Sequence, residues 1–225
     1  PTASSDGDGG YCTAGARCRL GTGTPEACPA GTYQNTTGQD ECEACPGGFY
    51  CELGSVTYAA TPCEAGWYCS GGAKTATPGA NESGTGGVCP AGFFCETGEE
   101  APVPCGNGTY NNQTQQSACL TCPASYYCEE GAVDPQPCPS GYYCPSGTGP
   151  GWKPCPAGTY NNGTLLSRKD ECTPCSAGSY CETAGLSEPT GPCAAKHFCR
   201  SGVKVATPTA SSDGDGGYCT AGARC

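Results

Sequence analysis

The stretch CPAGTYQNTTGQDECEACPGGFYC, residues 28–51, holds both building blocks of the chain. It opens with a cysteine, two small residues, a glycine and a Thr-Tyr pair, and Cys42 follows Cys28 by 14 positions. It closes with a compact version, CPGGFYC, in which Cys51 follows Cys45 by 6. The long form recurs from Cys105 to Cys119 and from Cys155 to Cys172, with spacings of 14 and 17. The short form recurs at Cys12–Cys18, Cys63–Cys69, Cys89–Cys95, Cys122–Cys128, Cys138–Cys144, Cys175–Cys181, Cys193–Cys199 and Cys219–Cys225. All 24 cysteines fall in one unit or another, so the accounting leaves no free thiol.

Each unit specifies its own local structure. Proline after the cysteine and glycine two residues later set a tight turn, and the aromatic pair that follows suits a short strand. Stretches between units, such as GGAKTATPGANESGTGG at 71–87, read as irregular loop. A disulfide closing a seven-residue loop removes roughly 2.4 kcal/mol of unfolded-chain freedom, and a fifteen-residue loop about 3. Stability is then local to each unit and additive along a one-dimensional array.

Composition leaves no other route to a fold. The 225 residues include 6 Leu, 6 Val and 4 Phe, with neither Ile nor Met, too few for a globular core of the usual kind. Gly (37) and Pro (21) penalise helices and long strands. Cysteine at this density supplies staples instead and places the chain in the secretory pathway or outside the cell. The expected architecture is a turn-rich, elongated tandem array of small disulfide modules with short β-strands and no large hydrophobic core. Its blocks are 1–27, 28–104, 105–154 and 155–225.

A larger period overlies the small one. PTASSDGDGGYCTAGARC at 1–18 returns without a change at 208–225, an offset of 207. The internal units differ from one another at most positions, so this copy is of another kind: tandem repeats of about 207 residues or an overlap at the ends of one repeating unit. Either implies a polypeptide that continues at both ends. The opening PTASSDGDGG has neither Met nor a signal sequence, which fits a piece of a longer secreted protein.

Chemistry finds little to build on. A formal charge of −11 argues against nucleic acid and anionic membrane surfaces, and no apolar run approaches a membrane span. The C-x-x-C pairs Cys42/Cys45, Cys119/Cys122 and Cys172/Cys175 lack the paired spacing of a zinc site and the βαβ setting of a thiol oxidoreductase, so they read as structural disulfides. The single histidine, His197, stands where other units have an aromatic. SDGDGG at 5–10 and 212–217 begins like a calcium loop but lacks the later glutamate, and reads as an acidic linker. With one histidine no Ser/His/Asp set can be assembled. No catalytic, metal or cofactor residue is assigned, and the chain is read as a non-enzyme. The 13 Tyr with Trp67 and Trp152 are read as packing over disulfides and neighbouring units rather than as a sugar-binding strip.

Glycosylation is the specific signal. Asn35, Asn81, Asn107, Asn112 and Asn162 lie in N-x-S/T sequons, and Asn35, Asn112 and Asn162 each come 7 residues after the opening cysteine of a long unit. That recurrence puts sugar at the outward tip of the longer loop. Thr-Pro pairs at Thr24, Thr61, Thr77, Thr173 and Thr207 are weaker candidates for O-linked or hydroxyproline-linked glycan.

The motif C-P-A-G-T-Y, the spacing of 14 to the next cysteine, and C-x-x-C-P-x-G with two aromatics resemble ephrin-receptor-like cysteine-rich repeats, and more distantly tumour necrosis factor receptor repeats. Such arrays occur in protist and algal surface proteins, including mastigonemes, the hairs on flagella. The resemblance implies a glycosylated, extracellular structural protein that self-associates into a filament, such as a mastigoneme shaft or similar fibril at the cell or flagellar surface. It also leaves a stalk or ligand-binding ectodomain of a receptor or adhesin. Two disulfide schemes remain open. Each unit closes on itself, or adjacent short units interlace as in the receptor repeats, for example Cys45 with Cys63 and Cys51 with Cys69.

Overall fold

The computed structural model describes residues 10–79, 85–209 and 216–220. Every disulfide described closes one unit on itself: Cys28–Cys42, Cys105–Cys119 and Cys155–Cys172 in the long units, and the six-residue span in each short unit from Cys12–Cys18 to Cys193–Cys199. The interlaced scheme is not present. Cys219 is disulfide-bonded too, while Cys225 lies outside the described residues.

In ten of the eleven units whose disulfides are described, the residues at the aromatic-pair position (Ala16–Arg17 in the unit at Cys12) are the first strand of an antiparallel hairpin, and the return strand is the two or three residues just before the next unit's opening cysteine; the unit at Cys45 has in its place only an isolated antiparallel Phe49–Pro62 bridge. In the first long unit Thr32–Tyr33 pairs with Glu43–Ala44, and in later units Phe93–Phe94 pairs with Val103–Pro104 and Tyr142–Tyr143 with Lys153–Pro154. Among the described residues there are ten such hairpins, each a separate two-stranded sheet, and a single 3-10 turn at Lys169–Glu171. Isolated two-stranded ribbons are marginal in water. These persist because each is stapled at its base and hydrogen-bonded to the next.

Four backbone bonds do that joining, and the unit at Cys28 shows the pattern. The Gly31 carbonyl accepts from Cys45 N–H (2.9 Å), Gly31 N–H donates to the Cys51 carbonyl (2.7 Å), the Cys28 carbonyl accepts from Gly54 N–H (2.8 Å), and Gln34 N–H donates to the Ser55 carbonyl (3.1 Å). One unit on, the same roles fall to Gly48 with Cys63 (2.9 Å) and Cys69 (2.8 Å), Cys45 with Gly72 (2.7 Å), and Cys51 with Ala73 (2.9 Å). The third of these, from a tail residue back to the previous opening cysteine, occurs nine times among the described residues, from Gly38→Cys12 to Gly202→Cys175. Backbone groups that a coreless chain would leave to water are thus paired with the neighbouring unit.

The turn residue has a second constraint. Gly31 has φ +88°, and a Cβ there would run into the carbonyl oxygen of Gly72, two units on. Glycine is required both for the left-handed backbone and for that approach. Ser125 and Lys196 hold the same turn position with φ 74° and 70°, so the left-handed conformation is imposed by the unit even where glycine is replaced.

The core is the cysteines themselves, nearly all shielded, with Ala73, Val203 and Pro78. Ala73 and Pro78 lie in the stretch 71–87 read as irregular loop, whose last residue, Gly87, enters the strand Gly87–Val88. Ala73 lies against the Cys63–Cys69 disulfide, and the Ala76 carbonyl accepts from Glu64 N–H at 3.0 Å. The counterpart stretch in the unit at Cys193 does the same, with Val203 buried and the Ala206 carbonyl bonded to Ala194 N–H at 2.9 Å. Short apolar residues fit under a disulfide, a signal that period and turn chemistry do not carry. By contact the chain forms two compact units, Pro1–Cys105 with Asn111–Cys119, and Gly106–Tyr110 with Leu120–Cys225.

Candidate glycan sites and aromatic seams

Each long unit replaces the closing cysteine of a short unit with an amide, and the amide turns inward. Gln34, Asn111 and Asn161 stand six positions after their opening cysteines and are 4%, 1% and 6% exposed. Their carbonyls take the N–H of the preceding turn glycine, from Gly15 (2.8 Å), Gly92 (2.7 Å) and Gly141 (2.9 Å), the role that a closing cysteine carbonyl plays in short units. The side chains add local bonds. Asn111 Nδ2 donates to the Phe93 carbonyl (2.9 Å), Asn161 Oδ1 accepts from Gly163 N–H (3.1 Å), and Gln34 bridges Glu41 and Thr36. The sequence signal that marks these three amides is their six-residue spacing from the opening cysteine.

The next residue faces out. Asn35, Asn112 and Asn162 are exposed, and each lies seven residues into the loop that its long-unit disulfide closes. Asn107 is exposed as well but sits inside the C-x-x-G turn, where the hydroxyl of its sequon Thr109 already donates to the Gly106 carbonyl (2.6 Å). Asn81 lies outside the described residues. The three asparagines after the buried amides therefore share one presentation, and Asn107 has another.

The aromatics stack between hairpins. Tyr58 receives the rings of Tyr33 (5.0 Å) and Phe49 (5.3 Å) edge-on, and Trp152 sits edge-on to Tyr127 (5.2 Å) and Tyr142 (5.5 Å). Such pairs contribute about 0.5–1.5 kcal/mol each beyond area burial. The Trp152 indole N–H is buried without a partner. Tyr33 donates its hydroxyl to Glu43 across the hairpin at 2.8 Å, and that bond to a carboxylate raises the phenol above its ordinary value.

His197 occupies the first strand position of its unit. Its Nδ1 lies 3.1 Å from the Pro208 carbonyl, so Nδ1 carries the proton, and its ring centre is 4.5 Å from that of Tyr218. The C-x-x-C pairs are split between separate disulfides: Cys42, Cys119 and Cys172 close long units, while Cys45, Cys122 and Cys175 open short ones. Among the described residues there is no free cysteine, no group of His, Cys, Asp and Glu spaced to hold a metal, and no helix long and apolar enough to cross a membrane. Of the SDGDGG copies, residues 5–9 and 212–215 lie outside the described residues, whereas Gly216 and Gly217 belong to the strand Gly216–Tyr218. Those two glycines are hairpin and not linker.

Residues 15–58 match the family described as tyrosine-protein kinase ephrin type A/B receptor-like. No curated protein matches the chain. The matched residues run from the turn at Gly15 to just past the tail of the unit at Cys45; the self-closed disulfides continue through Cys199, and the joining bonds recur along the described units except between the unit at Cys105 and the tail at Gly131. Repeats of this kind are non-catalytic ectodomain modules, and disulfides at this density persist in an oxidising, extracellular setting. Residues 15–58 are thus similar to an ephrin-receptor-like cysteine-rich repeat, and the disulfide-bonded units that continue beyond them suit an extracellular protein.

Proposed function

We propose that this protein is a structural, non-enzymatic, glycosylated subunit of an extracellular filament, such as the shaft of a flagellar hair or a similar surface fibril. The observation that carries the reading is the unit-to-unit backbone lattice, combined with an 18-residue segment that returns unchanged after 207 residues. A receptor needs one recognition surface, whereas this chain spends its sequence on repeating one joint. Sugar at Asn35, Asn112 and Asn162 supplies solubility to a chain with exposed Leu20, Leu53, Leu120 and Val205 and little core. Lateral contacts of those apolar side chains, or of the sugars, build the fibre.

Electron microscopy of the native material tests the reading. Continuous filaments, with glycopeptides recovered at Asn35, Asn112 and Asn162, are the expected result. The family match favours a second reading, a stalk or ligand-binding ectodomain of a receptor or adhesin. A discrete particle with saturable binding to a partner and bare asparagines would establish that second reading in place of the first.

A further inference from the structure

Apart from the pair Cys105 and Gly131 inside the array, two places in the lattice are open, and they match each other. Seven turn glycines, from Gly15 to Gly158, lie so close to a tail residue two units on that a Cβ would collide with its carbonyl oxygen. At Gly178 (φ +87°) a Cβ would meet nothing within 4 Å. The carbonyls of the opening cysteines at 12, 28, 45, 63, 89, 122, 138, 155 and 175 each accept from the tail residue of the next unit, but those of Cys105 and Cys193 accept no such bond among the described residues. A groove runs along Ala194–Cys199 beside Gly178.

The complementary group lies near the other end of the sequence. Gly21 is the third residue after the closing Cys18, as Gly54, Gly72 and Gly98 are after Cys51, Cys69 and Cys95. Its φ of +84° matches theirs (74°, 68° and 81°), yet a Cβ on it would meet nothing within 4 Å and its N–H makes no bond among the described residues. Leu20 beside it is wholly exposed. Gly21 has the conformation of a tail residue and, unlike Gly131, which is open although the unit at Cys105 precedes it, has no preceding unit among the described residues.

Residues 208–220 show which unit that is. They repeat residues 1–13, and in this second copy Gly216–Tyr218 pairs with His197–Cys199 while Cys219 N–H donates to the Lys196 carbonyl at 3.0 Å. The first half of the joint between successive copies is therefore already formed. Counting on by the 207-residue period, the tail residue due opposite Gly178 and Cys193 is the counterpart of Gly21. We propose that successive 207-residue copies in one chain continue the same lattice without a spacer, the Gly21 counterpart donating its N–H to the Cys193 carbonyl and laying its own carbonyl over Gly178. The partner of the Gly178–Cys199 face is the following copy of this sequence, whether or not the arrays bundle side by side. The turn residue due next, Lys196, is not glycine, and Ser125 shows that the lattice accepts such a residue: its N–H donates to the Cys144 carbonyl (2.8 Å) and its carbonyl accepts from Cys138 N–H (2.9 Å).

The test compares the 225-residue chain with a chain of two copies, residues 1–207 followed by 1–225, by amide hydrogen exchange with reduction after the quench. Peptides containing Gly21 occur once in the first and twice in the second. The single chain should give one fast population. The two-copy chain should give two equal populations, one at least tenfold slower, while sedimenting as a monomer. A single fast population overturns the proposal, as does slow exchange seen only in polymers. Gly178→Asn in the first copy keeps a residue that tolerates the left-handed conformation but fills the space over the turn. It should return the slow population to the fast rate while leaving exchange at Cys193, whose N–H donates to the Gly178 carbonyl, unchanged. Filaments without the slow population would uphold the filament reading and refute this joint; the slow population without filaments would do the reverse.

Discussion

Replacing Gly31 by alanine tests whether the lattice, and not the disulfides alone, orders the chain. Gly31 sits at φ +88°, where an L-residue is strained by about 1–2 kcal/mol. A Cβ there also meets the Gly72 carbonyl oxygen and comes within 3.4 Å of the Lys74 side chain, so the next units must move away. That movement disturbs the bonds Gly31→Cys51 and Gly72→Cys45, both 2.7 Å long, each contributing about 1 kcal/mol. The expected cost is about 3–4 kcal/mol, confined to the units at Cys28, Cys45 and Cys63, because neighbours in an array respond and distant units do not. Gly131→Ala is the control. It has a similar φ of +72° but nothing within 4 Å of the added carbon, so it should lose only the strain. The assay is amide exchange with all disulfides intact, since a repeat array need not unfold in two states. Exchange at residue 31 and Gly72 should be faster in Gly31→Ala by about thirty-fold beyond what the strain alone produces, the equivalent of about 2 kcal/mol, with no change beyond Cys138. Equal effects of the two substitutions would refute the close approach as a source of order.

Three further outcomes follow from the same geometry. Asn111→Ala leaves the donor-acceptor pair with Phe93 broken at a 1% exposed site and should cost about 1–3 kcal/mol of local stability, whereas Asn112→Ala should stay within about 0.5 kcal/mol and remove a glycopeptide; exchange and mass spectrometry read the two separately. The Glu171 carboxylate accepts from the backbone N–H of Ser167 (2.7 Å) and Arg168 (3.1 Å), which holds its pKa below the ordinary glutamate value of 4.5. A depressed folded pKa stabilises the charged form, so order in 167–171 should be complete above pH 4.5 and be lost as pH falls through the folded value, with Glu171→Gln removing that dependence in an NMR titration. Trp152→Phe removes an unpartnered buried N–H while keeping a ring between Tyr127 and Tyr142, and should change stability by less than about 1 kcal/mol, against about 3–5 for Trp152→Ala, followed by near-UV circular dichroism.

Much of this was legible before any coordinates because the signals are local. The Cys-x-x-Gly turn, the aromatic pair and the even count of cysteines within each unit fix a stapled hairpin, since a turn residue and a short disulfide loop act over a few positions. The buried amides Gln34, Asn111 and Asn161 were passed over because polar residues normally face water, and only the lattice gives their carbonyls the place of a closing cysteine. The same holds for Ala73, which packs against the Cys63–Cys69 disulfide, and for Pro78 and Val203, which are buried although they stand in loop sequence.

The sequence by itself determined the module: where each turn falls, which residues are aromatic, and that a segment returns after 207 residues. Spacing alone allowed cysteines to pair within a unit or across units, because a short chain can satisfy either. Tertiary structure decided that pairing, and it also decided what joins one unit to the next. Those joints are backbone bonds such as Gly31 with Cys45 and Cys51, and a backbone N–H or carbonyl is the same in every residue, so no pattern of side chains announces where it will find its partner.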